Sequence, residues 1–261
     1  MLVKLLKHEL IDYFKKTRLI FIIVFGISFL ILGLNYLENQ IDFIKYIKAT
    51  ILISYVFVVI GMFIYTLFYP IIRYYKSMLK DEAYLTHTLP VKVSQILLAK
   101  LLAAFILFFS SIIIFMVSLL ITKTITWNFI KAFLTLFNKS IWKALIMILF
   151  YALIYYFSFL MMILTSLTIG HSNSSKKGIY SFVVGIIIYF IQQIFGAISL
   201  FIIVVFYPNI LKQMEIGGFP LSPIMLIPSI VSMCLIIIEI ITTHYFIKNK
   251  LNLEWVWKKY F

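Results

Sequence analysis

Six long runs of uncharged, mostly apolar residues divide this chain, and short polar segments separate them. Each run offers roughly the 20 apolar residues that a helix needs to cross a hydrocarbon core of about 30 Å. Strands of a membrane barrel would instead alternate in blocks of about 10 residues. The pattern therefore predicts an all-α integral membrane protein with six transmembrane helices, forming a single transmembrane domain over residues 1–261. The predicted spans are Leu19–Leu37, Ile51–Tyr69, Ile96–Thr122, Ile141–Ile169, Ile179 to about Leu200, and about Pro223 to Ile247.

Composition supports this interpretation, because 64% of the residues are hydrophobic and only 12% are charged. Such values lie far outside the range of soluble globular domains. No small-residue cleavage pattern follows the first apolar run, so we expect that run to remain in place as a span. The single cysteine, Cys234, excludes an intramolecular disulfide, and we expect it to be a buried apolar thiol.

The net charge of +14 has two interpretations, nucleic-acid binding or membrane topology. If both termini are cytoplasmic, sixteen of the 23 Lys and Arg residues lie on the inner side and seven on the outer side. This excess follows the positive-inside rule. The sequence therefore predicts a multi-pass membrane protein with both termini on the cytoplasmic side, and no nucleic-acid partner.

The first 18 residues predict an interfacial elbow helix before span one. Over Leu2–Phe14 the apolar residues cluster on one helical face, whereas Lys4, His8, Asp12 and Lys15 lie on the other. A short lysine-rich amphipathic helix of this kind lies among lipid headgroups. The alternative is a plain cationic flank of the first span.

A long connection is predicted before span six. The uncharged run from Gly178 to Leu211 exceeds the length of one crossing. Turn signals follow at Tyr207-Pro208 and over Gly217–Pro220. We therefore expect a short outer or re-entrant element over residues 201–222.

Polar residues inside the spans are few. Glu239 is the ionisable residue that we place well inside a span, roughly 12 Å from its inner end. A charge at a span centre costs about 2.5 to 3.5 kcal/mol, so Glu239 either lines a pathway or subunit interface, or is a protonated carboxyl bonded to a neighbouring helix. Gln192 and Gln193 in span five are either links between helices or further pathway lining. One off-centre carboxyl argues against an ion-driven carrier.

The sequence lacks the signatures of several enzyme classes. It contains no phosphate-binding Gly-x-x-x-x-Gly-Lys-Ser/Thr loop, so we expect no ATPase activity in this chain. The histidines His8, His87, His171 and His244 fall in separate segments, which argues against a metalloprotease. We find no polar catalytic cluster near an interface and expect neither an enzyme nor a bound cofactor or metal.

A polar insert of 23 residues, Arg73–Gln95, separates spans two and three. It is too short to form an enzyme domain, yet it concentrates charged residues in one place. The insert therefore predicts a docking surface, and the alternative is an ordinary solvated loop.

Within the insert, Tyr84-Leu85-Thr86-His87-Thr88-Leu89-Pro90-Val91 is followed by Gln95–Lys100, which opens span three. This segment resembles the permease subunits of ABC-2 type (type V) exporters of Gram-positive bacteria, in which a Tyr-Leu-Thr-x-Thr-Leu-Pro-Val run follows the second span. The six spans, the amphipathic start and the long outer connection are also similar. The resemblance implies two permeases, identical or homologous, with two copies of a separate ATP-binding cassette subunit that binds ATP and Mg.

The resemblance also implies that a coupling helix lies in the insert and contacts the partner ATPase. Tyr84, Leu85 and Leu89 would form an apolar ridge for a groove on that partner, and Pro90 would end the segment before span three. Charged and titratable residues would set the register of the contact. These residues are Arg73, Lys80, Asp81, Glu82 and His87.

The function that the resemblance implies is ATP-driven export of amphipathic or hydrophobic peptides across the bacterial cell membrane, powered by the partner subunit. Two alternatives remain open at this point. One is a membrane immunity or sensor protein that binds a toxin or peptide without transport. The other is the permease of a drug or lipid exporter.

Overall fold

The computed structural model describes residues 2–38, 43–80, 82–88, 90–123, 139–172, 176–206 and 221–250. Over these residues the regular structure is entirely helical. The elements are α1 (Leu2–Leu37), α2 (Phe43–Tyr74), a π-helical turn (Tyr75–Leu79), α3 (Ala83–Thr88), α4 (Val93–Ile121), α5 (Lys139–His171), α6 (Lys177–Phe206) and α7 (Leu221–Asn249).

Six helices of the described part are long and apolar enough to cross a membrane. Each predicted span coincides with one of them, so the prediction of an all-α protein with six candidate transmembrane helices is confirmed. Hydrocarbon offers no partner for a free backbone N–H or C=O, and helices satisfy these groups within each segment. The fold class therefore follows from the length and composition of the runs.

The predicted elbow is not a separate helix. Residues 2–18 are continuous with the first span in α1, a helix of 36 residues. No Gly or Pro occurs before Gly26, and nothing in the sequence breaks the backbone hydrogen bonds between the amphipathic start and the span. The position of this start at the lipid headgroups stays a prediction.

The chain divides into two compact units. The first unit comprises residues 1–73 and 90–136 and contains α1, most of α2, and α4. Within it α1 packs against α4, where Ala99, Ala103 and Ala104 are buried and allow a close approach. The Tyr55 hydroxyl of α2 is 2.6 Å from Ser118 Oγ of α4, which joins these helices by a buried hydrogen bond.

The second unit comprises residues 74–89 and 137–261 and contains the π-helical turn, α3, α5, α6 and α7. Helix α5 packs against both α6 and α7, and half of its apolar stretch is buried. Thr243 Oγ1 of α7 donates to Thr165 Oγ1 of α5 over 3.1 Å. Helix α5 is thus the central helix of this unit.

Two predictions from the sequence are modified. Residues 201–206 of the predicted outer connection continue α6, and residues 207–220 lie outside the described residues. The expectation that Cys234 is a buried thiol is wrong, because its side chain is exposed. A lipid-facing position is as apolar as a protein core, so a membrane helix has no need to cover a thiol with protein.

Candidate functional site

The polar insert begins as a continuation of α2. Pro70 lies inside α2 and lacks the N–H that would bond to the preceding turn, and the helix widens into the π-helical turn Tyr75–Leu79 a few residues later. Single π-helical turns occur frequently at functional sites. At Lys80 the backbone leaves the helical conformation, with φ −115° and ψ −146°, and ends the element.

Helix α3 packs against the π-helical turn, and the π-helical turn packs against α5. Met78 and Ala83 are fully buried in this contact. The Tyr74 hydroxyl is 2.6 Å from Thr168 Oγ1 of α5, and the Tyr75 ring meets the His171 ring edge-on at 5.3 Å. The insert is therefore a folded structure with two anchors on the end of α5.

His87 is one of the residues that hold α3 in place. Its Nε2 lies 3.4 Å from the Met78 carbonyl oxygen, and its ring is partly buried. Burial lowers the pKa of His87 below its ordinary value of 6.5, although the hydrogen bond to Met78 opposes this shift. The ring is therefore neutral at pH 7.

The outer surface of α3 is apolar. Leu85 is 68% exposed and Tyr84 is 43% exposed. Lys80 is also exposed, with its Nζ 5.3 Å from the centroid of the Tyr75 ring. Glu82 is half-buried. The other two predicted coupling residues, Asp81 and Leu89, lie outside the described residues.

Arg73, which the sequence assigns to the coupling surface, has partners within the first unit. Its side chain is 15% exposed, and its Nε lies 3.2 Å from Asp12 Oδ2 and 3.6 Å from Glu9 Oε2 of α1. This placement gives Arg73 a role in joining α1 to α2. A contact between Arg73 and a partner protein stays a prediction.

Arg73 belongs to a charge network that the sequence interpretation missed. Lys100 of α4 is 4% exposed, and its Nζ donates to Glu9 Oε1 over 2.6 Å. The Tyr69 hydroxyl of α2 donates to Asp12 Oδ2 over 2.9 Å. Two carboxylates, two cations and one hydroxyl thus connect all three helices of the first unit.

The sequence does contain a signal for this network. Glu9 and Asp12 are the sole acidic residues among the first 37, and they are three positions apart, which places them on one helical face. Lys100 lies four residues inside predicted span three. The count of charges on the two sides of the membrane nevertheless assigned it to the inner side. A buried cation requires an acidic partner, and the two carboxylates Glu9 and Asp12 on one helical face were candidates for that partner.

The polar residues predicted in spans five and six meet in the second unit. Gln192 Nε2 of α6 donates to Glu239 Oε1 of α7 over 2.8 Å. Glu239 is 6% exposed, and its Oε2 has no hydrogen-bond partner among the described residues. This hydrogen bond links α6 to α7. Such a link was one of the two interpretations that the sequence left open for Gln192 and for Glu239. Gln193, next to it in the chain, is exposed and makes no part of this bond.

A cavity of about 480 Å³ lies beside this pair, between α5, α6 and α7. Both glutamines line it, together with tyrosines, serines and aliphatic residues, and none of the described lining residues is charged. A volume of this order suits a drug-sized molecule. The cavity and the folded insert are the two candidate sites of the second unit.

No family model, no curated protein and no solved structure matches this chain. The fold defines the class of protein: over the described residues it is all-α, with six helices suited to span a membrane, as in a multi-pass membrane protein.

Proposed function

We propose that this chain is the transmembrane permease subunit of an ATP-driven exporter that moves amphipathic or hydrophobic substrates out of the cell. A separate ATP-binding cassette subunit, present in two copies, supplies the energy, and a second permease completes the complex. The observation that carries the proposal is the exposed apolar pair Tyr84 and Leu85 on a short helix that packs against the π-helical turn, which in turn contacts α5.

The packing of the insert supports a role in force transmission. A docking helix transmits movement when it is firmly attached to the element that must move. Helix α3 meets this condition because His87 contacts the Met78 carbonyl of the π-helical turn, and Tyr74, directly before that turn, is hydrogen-bonded to Thr168 of α5. A push on Leu85 would therefore reach α5, the helix against which α6 and α7 pack.

The apolar character of the exposed pair supports a protein partner. Aromatic residues are enriched at protein interfaces, and a buried aromatic or aliphatic anchor usually carries most of the binding energy. Lys80 and Glu82 lie beside the pair and provide charges of both signs for register.

The test is co-purification of an ATP-binding subunit with this protein from its own cells, followed by measurement of ATP turnover. The Leu85→Asp variant buries a charge in the proposed interface, and we expect at least about a tenfold loss of the co-purified subunit. Lys176→Asp is the matched control, since Lys176 is exposed, lies in a polar loop and is predicted on the same side of the membrane. We expect this control to behave as wild type.

A second variant reverses the charges of Asp81 and Glu82. If both this variant and Leu85→Asp leave assembly and ATP turnover unaltered, the coupling assignment is wrong. Recovery of this chain without any ATP-binding subunit would contradict the proposed function as a whole.

A further inference from the structure

The cavity between α5, α6 and α7 combines three properties of a ligand site. It has a drug-sized volume of about 480 Å³, aromatic side chains from two helices, and polar side chains from all three. The aromatic groups include Tyr151 and Tyr155 of α5, whose ring centroids are 5.8 Å apart, and Tyr189 of α6. Such a surface binds the apolar body of a ligand.

The Gln192–Glu239 pair orients one of these polar groups. Because the Gln192 amide nitrogen donates to Glu239 Oε1, the carbonyl oxygen of the same amide is left as an acceptor. Gln192 lines the cavity, whereas Glu239 does not. The carboxyl thus acts as a positioning group that holds Gln192 in this orientation.

Gly196 leaves open space on the α6 side of the cavity. It lines the cavity, and a Cβ added there would meet no atom within 4 Å. Among the described residues, no side chain fills this space. The described lining residues carry no charge, so they offer no counter-ion to a charged ligand.

We infer that this cavity is a binding site for a neutral, drug-sized amphiphile that donates a hydrogen bond to Gln192. This binding does not depend on the proposed transport function. Only the further step, that the ligand is the exported cargo, rests on that function. A peptide of more than a few residues exceeds the volume, so a longer peptide would enter with only a part of its length.

The experiment uses three fluorescent probes and the full chain in lipid nanodiscs, with empty nanodiscs as the background. Dansylamide is neutral and has a sulfonamide N–H donor, its N,N-dimethyl sulfonamide analogue lacks the donor, and dansylcadaverine carries an amine cation. We expect saturable binding of dansylamide to wild type, about fivefold tighter than binding of the dimethyl analogue. Dansylcadaverine is expected to bind more weakly than dansylamide.

Two substitutions locate the site. Gly196→Phe fills the cavity and should weaken dansylamide binding at least tenfold, whereas Gly61→Phe, at another glycine with open space around it, should change it less than twofold. Gln192→Leu should abolish the preference for dansylamide over its dimethyl analogue. If Gly196→Phe does not reach the membrane, Gly196→Leu makes the same test with a smaller side chain.

Three results would overturn the inference. They are no saturable dansylamide binding to wild type, binding that Gly196→Phe leaves unchanged, and tighter binding of dansylcadaverine, which would mean that the site recruits a cation. Each is distinguishable from failure of the proposed function, because these measurements involve no ATP-binding subunit.

Discussion

Glu9 is the residue on which the charge network of the first unit depends. Its two carboxylate oxygens face different helices, with Oε1 bonded to Lys100 of α4 and Oε2 3.6 Å from Arg73 of α2. A buried ion pair adds little net stability compared with apolar residues of the same shape, but the loss of one partner leaves a buried charge behind. The network therefore fixes which helices pack together and in what register.

The Glu9→Gln variant tests this role. We expect it to lower the free energy of unfolding by about 3 kcal/mol, because Lys100 loses the carboxylate to which it donates. Lys48→Met is the control, since it breaks the more exposed pair with Glu38 and should cost at most about 1 kcal/mol. Thermal unfolding in one detergent measures both. Equal losses from the two variants would contradict the assigned role of Glu9.

His87 predicts a pH dependence of the insert. Its pKa in the folded protein is below 6.5, so the unfolded chain binds a proton more readily, and the stability gained from a neutral ring is lost as the pH falls below 6.5. The His87→Gln variant keeps an amide donor for the Met78 carbonyl but cannot titrate. Between pH 7.5 and pH 5.5, we expect the melting temperature to fall further for wild type than for His87→Gln.

At the scale of elements, α5 and α6 approach each other through small residues. A Cβ added at Gly170 would overlap Ser181, with Ser181 Cα only 2.5 Å away, and a Cβ added at Gly185 would lie 3.5 Å from Ser166. Each helix thus places two small residues four positions apart at the contact. This arrangement is typical of closely packed membrane helices.

Gly170→Ala should therefore destabilise the protein, whereas Gly185→Ala should be nearly neutral. The first change forces the two backbones apart, and overpacking of this kind costs about 1 to 3 kcal/mol. The second makes an ordinary van der Waals contact. Melting temperatures of the two variants and wild type measure the difference. Equal melting temperatures of the two alanine variants would contradict the close approach of α5 and α6 at Gly170.

The helices were the most predictable elements. All six spans were placed by length and composition, and the predicted starts and ends of spans two to six fall inside the observed helices or within one residue of them. The elbow was not predictable in its final form, because an amphipathic start followed by an apolar run is compatible with either a bend or a straight helix. The backbone of α1 continues without interruption.

At the scale of the whole molecule, the distribution of charge predicts an orientation with both termini inside. Single cysteines test it in a Cys234→Ser background. Lys45→Cys and Lys176→Cys both replace exposed lysines, the first on the predicted outer side and the second on the predicted inner side. In intact cells a membrane-impermeant maleimide should label the Lys45→Cys variant but not the Lys176→Cys variant. After the membrane is permeabilised, it should label both variants. The reverse labelling pattern would show that the predicted orientation is wrong and that the insert lies outside.

The sequence by itself indicated that the long helices are suited to a lipid environment, and it gave the number of candidate spans. Hydrocarbon imposes length and composition on each crossing separately, so both can be read from one segment at a time. The polar residues Glu239, Gln192 and Gln193 were also identified this way, because any polar side chain stands out against an apolar run.

The tertiary structure alone decided which of these side chains meet. Glu9 and Lys100 are 91 residues apart in the chain, and Gln192 and Glu239 are 47 apart. In a soluble protein an apolar stripe would indicate the buried face of each helix, but in a membrane the lipid-facing surface is as apolar as the buried one. The hydrophobic pattern therefore carries no information on helix pairing, and the charge network and the cavity emerge only when the helices are packed.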